Sequence, residues 1–135
     1  NLLIKDNKIK IADFGIAYHE DFLRITSDQE PVGARKFICP ESEDGKTDVN
    51  NRCDIYALGK IFYYLLSDGK IFSREEEKFE QDEEFKLEAI HKDDRYKVFL
   101  PFFRKSITIK IEDRYSSAIE MKKDLRTYIK QFYNE

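Results

Sequence analysis

The sequence predicts a mainly α-helical domain, packed around a central buried helix, with a small β-hairpin at its N-terminus. Residues 2–4 are apolar, and residues 8–11 alternate polar and apolar side chains after a Lys-Asp-Asn turn, which is typical of a hairpin. Residues 54–67 place apolar side chains on every face of a helix, with Lys60 as the only long charged residue. Residues 117–132 open with a Ser-x-x-Glu capping box and continue with apolar residues at helical spacing.

The remaining elements can be placed in order along the chain. No period holds from residue 15 to residue 40, so we expect a loop whose length indicates function or disorder. The central helix is predicted to begin at Asp54, whose charge suits the helix dipole, and to stop at Gly69. Residues 73–91 are predicted to form a charged helix, and residues 96–105 a shorter apolar helix interrupted by Pro101. The expected total is two strands, a long loop and four or more helices.

The composition indicates one soluble, globular domain. Of 135 residues, 41% are hydrophobic and 38% charged, and the net charge of -3 gives no reason to expect a nucleic acid partner. The longest apolar run is too short for a bilayer, so no membrane partner is expected. Cys39 and Cys53 are too few for a disulfide scaffold, so we expect free thiols in a reducing compartment, the cytoplasm. The chain opens with Asn1 rather than Met, which indicates an internal fragment.

Asp13-Phe14-Gly15 is the first motif that carries chemistry. It follows a predicted strand and opens the long loop. Phosphoryl transfer needs a carboxylate that holds magnesium against nucleotide phosphates, and a carboxylate with an apolar anchor and a flexible glycine suits that task. Taken alone, the tripeptide also fits a turn with an exposed Asp and a buried Phe.

Four further motifs surround it in a definite order. Asn1 precedes the hairpin, and the stretch G-A-R-K-F-I-C-P-E, residues 33–41, closes the long loop. The stretch D-I-Y-A-L-G begins the central helix at Asp54, and Arg114 follows in E-D-R-Y before the last helix.

Together the five motifs resemble the C-terminal lobe of a eukaryotic-type protein kinase of the serine/threonine class. Residues 13–41 resemble an activation segment that runs from D-F-G to G-T-x-x-Y-x-A-P-E. The segment from Asp54 is similar to the family's D-x-W-S-x-G, and Arg114 to the late arginine that pairs with the A-P-E glutamate. Asn1 resembles the last residue of the catalytic loop H-R-D-x-x-x-x-N. The resemblance covers the chain from Asn1 to the last helix.

The resemblance implies a role for each matching residue. Asp13 would chelate magnesium that bridges the ATP phosphates, Asn1 would hold a second ion, and Asp54 would anchor the catalytic loop. The activation-segment and substrate positions implied by the motifs are Phe14, Gly15, Gly33, Ala34, Phe37, Pro40 and Glu41. Glu41 would form a buried ion pair with Arg114.

The resemblance also implies what this chain lacks. The catalytic Asp falls upstream of Asn1, and the N-terminal lobe with the ATP pocket is absent from the sequence. We therefore expect ATP and magnesium to serve the parent kinase, and the fragment alone to be inactive with neither bound. Its expected partners are the protein substrate and the missing N-terminal lobe.

Three departures from the family pattern leave the parent's activity open. Ala34 replaces a threonine whose hydroxyl contacts the catalytic Asp, Phe37 replaces a tyrosine, and Cys39 replaces a small alanine. The first interpretation is an active serine/threonine kinase, supported by the intact D-F-G motif. The alternative is a pseudokinase or scaffold that binds proteins without phosphoryl transfer, supported by the first two departures.

Three surface features carry further hypotheses. Thr26 and Ser27 are candidate phosphorylation sites, where a phosphate would pair with nearby arginines; unmodified loop residues are an equal alternative. The acidic stretch at residues 75–84 is either a solvated helix face or a docking surface for basic substrates. Without its other lobe the fragment should expose Phe14 and the hairpin's apolar residues, and form dimers or exchange its activation segment with another copy.

Overall fold

The computed structural model describes residues 2–12, 36–43, 50–72 and 78–134, with the side chain of Glu43 excepted. The chain divides into two compact units, Asn1–Glu30 and Pro31–Glu135. The described part of the first unit contains a two-stranded sheet, and the described part of the second unit contains the helices.

The first unit contains the predicted hairpin. Strands β1 (Leu2–Lys5) and β2 (Lys8–Ile11) pair antiparallel, and Lys5 lies opposite Lys8. Asp6 and Asn7 join the strands with φ angles of 51° and 58°, both in the left-handed region. Two such residues make a type I′ turn, whose twist matches that of the strands, and Asp and Asn tolerate this conformation well. The hairpin prediction is therefore confirmed.

The second unit is helical. Its described α-helices are α1 (Pro40–Glu43), α2 (Asn51–Leu66), α3 (Lys78–Gln81), α4 (Leu87–His91), α5 (Leu100–Ser106) and α6 (Ala118–Tyr133). Two 3₁₀ turns, Asp94–Phe99 and Ile111–Asp113, precede α5 and α6 respectively. The predicted fold class, a mainly helical lobe with an N-terminal hairpin, is confirmed. No helix within the described ranges is long and apolar enough to cross a membrane.

Helix α2 corresponds to the predicted central helix, but it begins three residues earlier than expected. The Asn50 side chain caps its first turn by accepting a hydrogen bond of 2.8 Å from the Arg52 N–H. The helix stops before Gly69, which takes the expected left-handed conformation with φ 86°. The prediction of burial on every face is wrong, because Tyr64 is 41% and Leu65 64% exposed.

The core lies on the other side of α2 and is rich in aromatic rings. The Tyr63 ring meets those of Phe72, Phe79 and Phe103 at centroid distances of 4.9, 6.3 and 5.7 Å. Its hydroxyl donates a 2.6 Å hydrogen bond to the Phe85 carbonyl, so the polar end of this buried side chain is satisfied.

Gly59 lets α2 approach α5 closely. A Cβ atom at this position would lie 2.6 Å from Ser106 Oγ and 2.8 Å from Ser106 Cβ. A glycine is therefore required here by packing, since any side chain would push the two helices apart.

The predicted helix over residues 73–91 is wrong as a single element. Its described part consists of α3 and α4, separated by a turn in which the Glu84 N–H donates to Asp82 Oδ1 at 3.0 Å. Lys86 then adopts an extended backbone. An aspartate that captures backbone N–H groups in this way competes with helix formation.

Pro101 does not interrupt a helix. It lies in the first turn of α5, where its missing N–H and fixed φ are tolerated, and the preceding residues form the 3₁₀ turn. Helix α6 begins as predicted, because Ser117 Oγ accepts a 3.2 Å hydrogen bond from the Glu120 N–H. Glu120 completes the cap by accepting from the Ser116 N–H at 2.8 Å.

Candidate functional site

Glu41 and Arg114 meet in the interior of the helical unit. Helix α1 begins at Pro40 and directs Glu41 inward, while Arg114 follows the 3₁₀ turn Ile111–Asp113. Arg114 Nη1 lies 2.5 Å from Glu41 Oε1 and Nη2 lies 3.0 Å from Oε2. Glu41 is 4% and Arg114 2% exposed. The contact is a buried, bidentate ion pair between residues that are 73 positions apart.

Every N–H of the Arg114 guanidinium has an acceptor. Besides the two carboxylate contacts, Nε donates to the Thr108 carbonyl at 2.8 Å. Nη1 donates to the Arg52 carbonyl and Nη2 to the Ile109 carbonyl, each at 3.2 Å. A guanidinium has five N–H donors, and all five are used here. Complete satisfaction of this kind is what makes a buried cation tolerable.

Three residues in the first two turns of α2 contact Arg114 or the segment that carries it. Arg52 Nη1 donates to the Ile111 carbonyl at 2.8 Å, and Asn51 Nδ2 donates to the Ser116 carbonyl at 3.0 Å. The Arg114 guanidinium lies 4.9 Å from the centre of the Tyr56 ring, a cation–π distance. These contacts hold the segment that carries Arg114 against the start of α2. No sequence motif indicated Asn51 or Arg52, because their partners are backbone carbonyls.

Cys39 and Cys53 form a disulfide next to the ion pair. The expectation of two free thiols is wrong, because folding brings the Cα atoms of these residues to 5.3 Å, well inside the range a disulfide bridges. Counting cysteines could not reveal this proximity. The sulfur of Cys53 also lies 3.1 Å from Glu41 Oε1.

Among the described residues, Cys39, Glu41 and Cys53 are the one group whose ligand atoms are close enough to hold a metal ion. All three already have other partners: the sulfurs bond to each other, and Glu41 is paired with Arg114. The adjacent guanidinium charge also disfavours a cation. This group is therefore not a metal centre in the form described here.

Phe37 and Asp54 are the other predicted site residues within the described ranges. The Phe37 ring packs edge-on against Tyr64 of α2, with centroids 5.8 Å apart. Asp54 lies exposed in the first turn of α2. The predicted positions Asn1, Asp13, Phe14, Gly15, Thr26, Ser27, Gly33 and Ala34 lie outside the described residues.

A second cluster lies at the start of α6. Lys105 Nζ lies 2.6 Å from Glu120 Oε1 and 4.4 Å from the centre of the Tyr115 ring. Hydrogen bonds from Lys105 and then from Ser116 lower the pKa of Glu120 from 4.5 to about 2. Burial, and then the nearby Asp124 carboxylate, raise the pKa of Tyr115, whose buried hydroxyl makes no hydrogen bond of good geometry within the described part of the chain.

The buried pair, the α1 segment that supplies its carboxylate and the helical unit around it define the C-terminal lobe of a protein kinase. Residues 1–134 match the protein kinase domain family, and the chain belongs to that family. No solved structure gives a significant match.

Several curated kinases resemble the chain. It is 30% identical to the tyrosine-protein kinase MasK of Myxococcus xanthus, over 96% of this chain and 20% of that protein. It is 36% identical to the serine/threonine-protein kinase PknA of Corynebacterium glutamicum, over 54% of this chain and 16% of that protein. It is 32% identical to calcium-dependent protein kinase 4 of Plasmodium falciparum, over 87% of this chain and 21% of that protein. The matched segments span about a fifth or less of these relatives' lengths.

Proposed function

We propose that the chain is part of an ATP-dependent serine/threonine protein kinase, which transfers the γ-phosphate of ATP to hydroxyl groups of protein substrates. The observation that carries the proposal is the bidentate contact between Glu41 and Arg114. It joins the Pro-Glu end of the activation segment to a distant arginine, as the motif order predicts. Family membership supports the kinase fold of the parent.

The serine/threonine assignment rests on two kinds of support. The stretch at residues 33–41 is closer to the serine/threonine pattern, and relatives from several organisms carry serine/threonine kinase names. MasK, whose match covers 96% of this chain, is named a tyrosine kinase. The identity of the acceptor hydroxyl is therefore an outcome that the experiment must measure.

The donor chemistry of Asp13 and Asn1 suits magnesium, which prefers oxygen ligands such as a carboxylate and an amide carbonyl. When bound, magnesium neutralises charge that develops on the transferring phosphoryl group. In this proposal Asp13 and Asn1 orient the ions, and the helical unit holds the end of the activation segment in place. The chain has no stretch that matches the H-R-D-x-x-x-x-N catalytic loop or the glycine-rich loop of kinases, so in this proposal the isolated chain is inactive.

The alternative function is a pseudokinase or scaffold that binds proteins without catalysis. Ala34 lacks the threonine hydroxyl that would contact the catalytic Asp in the family pattern, and Phe37 lacks the hydroxyl of the family's tyrosine. The Phe37 ring instead packs against Tyr64, a contact that needs no hydroxyl.

Phosphate transfer by the parent protein distinguishes the two functions. The parent is incubated with magnesium and γ-labelled ATP, with a peptide pool presenting Ser, Thr or Tyr, beside its Asp13→Asn variant. We expect label on Ser and Thr, and its loss in the variant because the magnesium ligand is weakened. Absence of transfer would favour the scaffold, and label confined to Tyr would contradict the serine/threonine assignment.

We also propose that the isolated chain self-associates through its hairpin. All eight strand residues are exposed, and Ile4 is 78% exposed. A two-stranded sheet with apolar side chains and open edges is prone to pair with another copy. Light scattering of the 135-residue chain should show dimers that Ile4→Lys disperses. A monomer at high concentration would refute the proposal.

A further inference from the structure

The Cys39–Cys53 disulfide joins the same two segments that the ion pair joins. Cys39 directly precedes α1, which supplies Glu41, and Cys53 lies in the first turn of α2. The disulfide therefore fixes the end of the activation segment to α2 covalently. The ion pair fixes the same end electrostatically, through Arg114.

The surroundings of Cys53 also suit a reduced thiol. Its sulfur lies 3.1 Å from Glu41 Oε1, the oxygen that also faces Arg114 Nη1 at 2.5 Å. In the disulfide this sulfur carries no hydrogen, so Glu41 relies on Arg114. In the dithiol form the two sulfurs must separate to van der Waals distance, and a small rotation of the Cys53 side chain keeps its S–H within reach of Oε1 as a donor. The site thus offers a hydrogen-bond partner to each oxidation state.

The two sulfurs differ in access. Cys39 is 3% exposed, while Cys53 is half-buried, so an external thiol reaches Cys53 first. Accessible disulfides that can be attacked from one side are the ones that exchange with small thiols.

We propose that Cys39 and Cys53 are a reversible thiol–disulfide modification site, reduced by low-molecular-weight thiols of the glutathione class. A thiolate of the small thiol attacks the Cys53 sulfur, the Cys39–Cys53 bond breaks, and Cys39 leaves as a thiolate that takes up a proton. A second thiolate attacks the external sulfur of the mixed disulfide, and Cys53 leaves and is protonated. In sum, two thiols become one small disulfide and the protein gains two electrons and two protons.

This chemistry alters how strongly the fold depends on the ion pair. In the oxidised chain the disulfide holds Cys39, and with it the start of α1, when the ion pair is weakened. In the reduced chain the segment depends on the contacts of Glu41, which then include Arg114 and the Cys53 thiol. Neutralising Glu41 should therefore lower the melting temperature further in the reduced chain than in the oxidised chain.

The test equilibrates the 135-residue chain with mixtures of reduced and oxidised glutathione and follows its intact mass and melting temperature. We expect a reversible change of two hydrogen atoms in the native chain, with a melting temperature roughly 5 to 15 °C lower in the reduced form. Glu41→Gln should lower the melting temperature about twice as far in the reduced form as in the oxidised form. The control, Cys39→Ala combined with Cys53→Ala, should show no dependence on the glutathione ratio.

Two results would overturn the proposed site, and a third would overturn its coupling to the ion pair. Reduction that requires a denaturant would make the disulfide a fixed structural link. A chain that stays a dithiol in oxidised glutathione would show that the link does not form in solution. Equal effects of Glu41→Gln in both oxidation states would show that the cysteine pair and the ion pair are independent.

Discussion

Replacing Arg114 with methionine should cost far more stability than the same change at an exposed arginine. The variant removes five donated hydrogen bonds and leaves the Glu41 carboxylate buried without its countercharge. Breaking a buried ion pair by removing one partner costs about 3–5 kcal/mol. Because three backbone carbonyls also lose their donor, we expect the upper end of that range.

Glu41→Gln provides a milder second measurement. The amide keeps the size of the side chain, and Arg114 retains its contacts with the carbonyls of Thr108, Arg52 and Ile109. We expect the free energy of unfolding to fall by about 3 kcal/mol, near the lower end of the range for a broken buried ion pair. The double variant should be more stable than Arg114→Met alone, because a neutral amide at position 41 leaves no buried charge unpaired.

Arg104 is the matched control. It also forms a bidentate contact with a glutamate, Glu80, at 2.7 Å for both hydrogen bonds, but its side chain is 57% exposed. Exposed pairs contribute about 0–1 kcal/mol, so Arg104→Met should be nearly neutral. Urea unfolding followed by far-UV circular dichroism, with the disulfide intact, measures all four variants. A loss below about 1 kcal/mol for Arg114→Met, or additive losses in the double variant, would refute the reasoning.

Three further predictions concern packing, pH and a buried hydroxyl. Gly59→Ala should destabilise the chain by about 1–2 kcal/mol, since the new methyl meets Ser106, and Ser106→Gly should recover most of this in a denaturant titration. The pKa of Glu120 is lowered from 4.5 to about 2, so its stabilising contribution is present above pH 4.5 and is lost as the pH falls towards 2. Glu120→Gln should flatten that part of a stability–pH curve, and an unchanged curve would contradict the assigned contacts. Tyr115→Phe should change the free energy of unfolding by less than about 1 kcal/mol, because the buried hydroxyl has the Asp124 carboxylate near it but no hydrogen bond of good geometry in the described part of the chain. A loss above about 2 kcal/mol in thermal unfolding would show that the contact with Asp124 is a full hydrogen bond.

The elements that local chemistry determines could be predicted from the sequence. Asp6 and Asn7 favour the left-handed conformation of a tight turn, and Ser117 and Glu120 cap α6 through contacts three residues apart. The ion pair between Glu41 and Arg114 spans 73 positions and has no local signal. It could be predicted because the order of the motifs resembles that of kinases, and the geometry then agreed with the resemblance.

The errors arise where tertiary contacts override local pattern. The apolar residues Tyr64 and Leu65 suggest a fully buried helix, yet they lie on the exposed side of α2. The charged stretch has only a weak apolar periodicity, and the turn at Asp82 divides its described part. The disulfide depends on the approach of two segments that no composition argument can place.

The ion pair should also matter for catalysis if the chain works as a kinase lobe. The parent protein's rate of phosphate transfer from ATP to a peptide substrate, compared for the native sequence, Glu41→Gln and Arg104→Met, tests this directly. We predict a rate roughly tenfold to hundredfold lower for Glu41→Gln, because a misplaced activation segment misaligns the substrate, and an unchanged rate for Arg104→Met. Equal rates for all three proteins would contradict the central claim that Glu41 and Arg114 hold the activation segment in its working position.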